Sequence, residues 1–181
     1  MSREPIELIR DCVVTTIPYG QKTALEAGET VQIVQQLGGS ITIKTRFGLV
    51  RVDGQDFDAI GVEVDADANE SEPASDEPFE MSKVTDALST IYDPEIPVSI
   101  VELGLVYRCD EVVSDDGKRK IEIDMSMTAP GCGMGDVLRD DALKAVEAIA
   151  GVDEVQVSVV WDPPWEMSRM SDAARLQLGM L

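Results

Sequence analysis

KIEIDMSMTAPGCGMGDVLRDDALKAVEAIAG, residues 120–151, carries the decision about the fold. Its first nine residues alternate. Ile121, Ile123, Met125 and Met127 fall on one side, and Glu122, Asp124, Ser126 and Thr128 on the other. That period of two is the mark of a half-buried strand. From Met134 the rhythm changes. Met134, Val137, Leu138, Ala142, Ala145, Val146 and Ile149 recur at helical spacing, and Gly151 stops the pattern. The stretch is therefore a strand, a glycine-rich loop and a helix of about 134–150. The loop holds one chemically capable side chain, Cys132, between Gly131 and Gly133.

Working outward, Val84, Leu88 and Ile91 line one face of an earlier helix that Ser82 is placed to cap and Asp93-Pro94 to close. Leu105 to Val113 reads as a strand, and residues 115–118 (DDGK) as its hairpin turn. Val155, Val157 and Val159 mark a last strand, and Ser171 is placed to cap a short terminal helix. Residues 81–181 thus read as α-β-β-α-β with a three-stranded mixed sheet and a short C-terminal helix. Residues 1–62 read differently. Cys12 to Ile17, the run 31–37 and the alternation Ile41, Ile43, Thr45, Phe47 predict a small antiparallel barrel or folded sheet, with Asp53-Gly54 as a turn and Lys44 and Arg46 facing solvent. Between the halves, residues 63–80 carry eight acids, two prolines and no base, the composition of a solvated linker. The expected class is α+β or α/β in two domains.

The 181 residues hold 35 acids against 15 bases, a formal charge of −20. No basic stripe is present to displace counterions, which argues against nucleic acid as a partner and against an anionic membrane surface. No apolar run approaches a membrane span, and residues 1–10 lack a signal-peptide pattern, so a reducing cytoplasm is the expected compartment. Cys12, Cys109 and Cys132 are odd in number and widely spaced, which is no disulfide framework. Histidine is absent, which removes Ser-His-Asp and Cys-His schemes and the HExxH motif.

Two readings of Cys132 stand at this point. At a helix entrance, backbone N–H groups and the dipole favour a thiolate that can ligate a metal, bind iron–sulfur species or attack a thiol. Equally, a small side chain there fills a strand–helix junction. A phosphate cradle is poorly served, because no lysine or arginine precedes Arg139 in the loop. Asp93, Glu95 and Glu102 can act as metal ligands or as turn and cap groups. Asp162, after the last strand, is expected at the same pole as Cys132. Trp161 and Trp165 around it suit either core packing or a docking patch. Cys12, Cys109 and the three methionines Met125, Met127 and Met134 read as core.

Three long motifs carry a resemblance: DPEIPVSIVELGLVY (93–107), MTAPGCGMG (127–135) and VWDPPWEMSRMS (160–171). Together they resemble the SufT family of iron–sulfur assembly proteins, within a wider family of domains shared with the eukaryotic cytosolic iron–sulfur targeting machinery. The segments IPYG (17–20), VQIVQQLGG (31–39), DAIG (58–61) and AARLQLGML (173–181) are similar to the same family. The resemblance implies a non-enzymatic maturation factor of the SUF system that assists cluster assembly or transfer to apo-proteins. It implies Cys132 as the reactive thiol, held by a loop of Thr128, Gly131 and Gly133, with Asp93 and Glu95 as acidic metal-site residues. The cargo it implies is a transient iron–sulfur cluster or iron, and the partners are the assembly machinery and apo-clients. One cysteine cannot hold a cluster alone, so a homodimer pairing Cys132 residues is an expectation, as is an adaptor that docks clients through the DPPW loop without a cluster. A thiol-dependent enzyme would lack an evident base.

Overall fold

The computed structural model describes residues 4–62, 78–129 and 131–180. Most of the acidic linker expected at 63–80 lies outside the described residues. Among them, residues 4–62 with Pro94–Pro97 form one compact unit, and residues 78–93 with 98–180 form another.

In the first unit six strands follow one another: β1 (Ile6–Glu7), β2 (Cys12–Thr16), β3 (Lys22–Leu25), β4 (Thr30–Leu37), β5 (Ser40–Thr45) and β6 (Gly48–Asp53). They form one antiparallel sheet in the order β1-β4-β5-β6-β2-β3. Its inward side chains, among them Val14, Ile41, Ile43 and Val52, are almost completely buried. The expected Asp53-Gly54 turn instead begins a 3-10 helix over Gly54–Ile60, which buries Ala59 and Ile60 against that core. Arg10 ties it down, donating to both carboxylate oxygens of Asp58 at 2.7 and 2.5 Å and to Asp56 at 2.9 Å.

Phe47 departs from its expected place on the inner face. Thr45 pairs with Gly48, so Arg46 and Phe47 are the two residues of a tight hairpin loop. The Thr45 hydroxyl accepts from the Phe47 N–H and donates to the Gly48 carbonyl, both at 3.0 Å. The alternation ends at Thr45, and Phe47 stands 75% exposed with the Arg46 guanidinium over its ring.

The second unit runs α1 (Met81–Ser89), β7 (Val106–Val113), β8 (Arg119–Met125), α2 (Gly135–Glu147), β9 (Glu154–Val159), a 3-10 turn (Met167–Arg169) and α3 (Asp172–Gln177). The sheet order is β7-β8-β9, antiparallel between β7 and β8 and parallel between β8 and β9. This is the expected three-stranded mixed sheet, and the chain is α+β. The alternation of β8 is realised. Ile121, Ile123 and Met125 are buried, while Glu122 and Asp124 face outward and share Arg108 of β7. Leu138, Ala142 and Val146 are the buried face of α2, which packs on β9 and α1. Ser82 is not the cap of α1. Glu80, in extended conformation, holds that position, and the Ser82 hydroxyl donates to its carboxylate. The helix also ends at Ser89, before the expected stop at Asp93-Pro94.

Candidate functional site

Because β8 and β9 are parallel and in register from Lys120↔Glu154 to Met125↔Val159, both strands deliver their following loops to one end of the sheet. The Val160 N–H donates to the Met125 carbonyl at 2.8 Å and extends that register by one step. The loop after β8 is the Cys132 loop. The loop after β9 is the Trp161–Trp165 loop. Asp162 therefore stands at the pole expected for it, and it is exposed.

Past β8 the chain stays buried through Ser126 and Met127, reaches Thr128 half-buried, and surfaces at Ala129. It then turns. The Cys132 N–H donates to the Ala129 carbonyl at 3.4 Å, and the Gly135 N–H to the Cys132 carbonyl at 3.2 Å. Gly131 has φ +77°, a conformation that β-carbon-bearing residues rarely adopt, and it lies open to solvent. Gly135 opens α2 against Met127, where a methyl group would touch the thioether side chain at 3.4 Å. These constraints hold Cys132 half-buried three residues before the helix, on a loop pinned by backbone bonds.

The other cysteines differ. Cys12 is buried in the first unit, and Cys109 is half-buried on β7 opposite Ile123. Burial pushes both thiols above the ordinary range, the direction that disfavours a thiolate. None of the three cysteines is in a disulfide. Met125, Met127 and Met134 are core residues, each at most 3% exposed.

Asp93 and Glu95, one residue apart, take opposite situations. Asp93 is buried and its N–H donates to the Val98 carbonyl at 3.2 Å; Glu95 is exposed. Among the described residues no three Asp, Glu, Cys or His side chains gather as a metal-holding group.

Beside the Cys132 loop, Met127, Thr128, Trp161, Pro164 and Trp165 enclose a cavity of about 110 Å³. Trp165 forms a fixed wall, because its indole N–H donates to the Leu103 carbonyl at 2.8 Å. Trp161 is 47% exposed at the mouth. A clasp not foreseen in the sequence holds this loop. Glu102 accepts from the Ser171 hydroxyl, and its carbonyl accepts from the Ser171 N–H at 2.9 Å. Arg169 stacks on Tyr107 at 3.7 Å from the ring centre. Gly104, at φ +68°, lies so close to the Arg169 carbonyl that no β-carbon fits. The glycine in ELGL was the available signal, a position where two backbones meet.

Comparison with known proteins bears on this unit. Residues 81–159 match the model of a family described as iron–sulfur cluster assembly protein. The chain is 40% identical over 94 residues to an Fe-S protein maturation auxiliary factor of Porphyromonas gingivalis, covering 52% of this chain and 86% of that protein. It is 38% identical over 94 residues to the Fe-S protein maturation auxiliary factor YitW of Bacillus subtilis, covering 52% and 88%. With the factor SufT of Staphylococcus aureus the identity is 37% over 90 residues, half of this chain and 98% of that protein. A crystal structure of a domain of unknown function, DUF59, from Bacillus anthracis is 38% identical with a TM-score of 0.48, covering 55% of this chain and 92% of that one. These matches span about half of the chain, and the matched relatives are covered nearly end to end. This chain belongs to the iron–sulfur cluster assembly protein family, alongside the Fe-S protein maturation auxiliary factors.

Proposed function

We propose that this chain serves the maturation of iron–sulfur proteins and handles its cargo, a cluster or iron, through the Cys132 thiolate. The observation that carries the reading is the contrast among its cysteines. Cys132 alone sits on a pinned, partly exposed loop at a strand–helix junction, while burial pushes the thiols of Cys12 and Cys109 up. The names of its relatives support the maturation role.

The chemistry is ligand exchange. A thiolate of the client forms a new bond to iron as the Cys132–iron bond breaks, and the proton released by the client thiol passes to the departing Cys132 sulfur. No oxidation state changes. Since no three-donor group gathers among the described residues, the other ligands come from outside this protomer: a client, a small thiol or a second copy whose Cys132 lies close. Thr128, Gly131 and Gly133 present the thiol.

Anaerobic reconstitution with iron and sulfide tests it. Wild type gains absorbance from thiolate-to-iron charge transfer, and Cys132→Ser loses most of it. Equal spectra from the two proteins would remove Cys132 as a ligand. The second reading, an adaptor without a cluster, is favoured by the tryptophan-walled cavity. Clients that co-purify with Cys132→Ser but are lost with a Trp165 variant would select it.

A further inference from the structure

We infer that the cavity beside Cys132 docks a protein segment bearing one aliphatic side chain flanked by lysine or arginine. The inference rests on the maturation reading above and names the chemistry of the client. The cavity is walled by two indoles, a proline, Met127 and Thr128, and its roughly 110 Å³ matches one leucine or methionine side chain better than a whole cofactor. One wall is fixed by the Trp165–Leu103 hydrogen bond, so little ordering is required on binding. A partly exposed tryptophan at the rim of a preformed apolar pocket is the usual make-up of an interface anchor point.

The rim selects the flanking charge. Residues 161–168 hold Asp162 and Glu166 and no base, and the facing loop 126–138 holds Asp136 and no base. Asp162 and Glu166 are exposed, and neither is in an ion pair among the described residues. Glu166 accepts only a 3.4 Å bond from the Ser168 hydroxyl. The nearest base in the loop, Arg169, is turned onto the Tyr107 ring. Asp136 is held by Arg139 at 2.9 Å. A cationic segment therefore meets two unneutralised carboxylates, Asp162 and Glu166, on the loop that carries both indoles of the pocket, while an acidic one is repelled.

The chain's only two tryptophans are both in this loop, so every indole signal reports on it. The probe is a blocked peptide with a central leucine flanked by lysines, titrated against the full chain at low salt. Its counterpart has glutamates in place of the lysines. Indole N–H shifts in NMR are the readout. The lysine peptide is expected to shift both indoles saturably, and the glutamate peptide to bind at least ~fivefold more weakly. Asp162→Asn with Glu166→Gln should abolish that difference. Trp161→Ala, at an exposed position, should weaken the lysine peptide ~tenfold or more, read on the Trp165 signal. Equal binding of both peptides, no saturable shift, or wild-type binding by Trp161→Ala would each overturn the inference. Indole shifts that follow protein concentration without peptide would give the pocket to a second copy and overturn it too. Cys132→Ser should bind the lysine peptide as wild type does. Loss of peptide binding with Cys132-dependent reconstitution intact rejects the docking chemistry alone, and the reverse outcome rejects the cluster reading alone.

Discussion

Two glycines with the same backbone sign have different weights in this protein. Gly131 and Gly104 both have φ near +70°, but space separates them. Around Gly131 nothing lies within 4 Å of an added methyl, so Gly131→Ala costs only the backbone preference, about 1 kcal/mol. At Gly104 the methyl would collide with the Arg169 carbonyl, and a rigid backbone cannot step aside. Gly104→Ala is expected to cost about 2–4 kcal/mol and to loosen the clasp under Trp165. Urea unfolding followed by tryptophan emission measures both, and a Gly104 variant as stable as the Gly131 variant would refute the clasp. Trp165→Phe keeps an aromatic side chain but replaces the indole by a smaller ring without an N–H, leaving the Leu103 carbonyl without its donor. A loss of about 1 kcal/mol is expected in the same measurement.

At the scale of elements, a cap that the sequence announces is worth testing against one that it misplaced. Ser171 caps α3 as its position suggests, accepting from the Ala174 N–H at 3.0 Å. Ser171→Ala should cost about 1 kcal/mol, seen as a lower melting temperature. Ser82 follows the same residue rule but sits inside α1, so Ser82→Ala should leave stability within ~0.5 kcal/mol. Local patterns of this kind are legible when nothing distant competes. The alternation of β8 survives because helices cover one face and ion pairs with Arg108 satisfy the other. The alternation of 41–47 fails at Phe47 because hairpin closure claims two residues that the periodicity assigns to the strand. The 3-10 helix at Gly54–Ile60 escaped for a similar reason. Its hold comes from Arg10, some 48 positions away in the chain, and no local window contains that bond.

The whole molecule adds what no motif states by itself. Cys132 and its glycines were readable as a loop, but the wall beside them comes from residues about thirty positions later, joined through a parallel strand register that periodicity does not encode. Charge is likewise a property of the whole. At a net −20 the chain repels itself at neutral pH, a cost that added salt screens. The paired carboxyls lie below their ordinary range: Asp58 through its hydrogen bonds to Arg10, Glu122 through Lys120 and then Arg108, and Asp116 through Ser114. A folded-state pKa below the unfolded one means that the unfolded chain takes up the proton more readily. Their stabilisation is therefore fully present above the ordinary carboxylate range near ~4 and is lost as pH falls through the folded values. All three are at the surface, so each contributes modestly. Urea midpoints at low salt should stay nearly level from about pH 7.5 to about pH 5.5, where this histidine-free chain has almost nothing to titrate, and fall steeply below about pH 4. At about 0.5 M sodium chloride the midpoint at neutral pH should rise, because screening removes the self-repulsion. Asp58→Asn should lower the midpoint at neutral pH and converge on wild type in acid, where both side chains are neutral. A neutral-pH midpoint that ignores salt would mean that self-repulsion does not govern this molecule, and a midpoint gap for Asp58→Asn that persists in acid would mean that packing, not charge, explains the Arg10 contact.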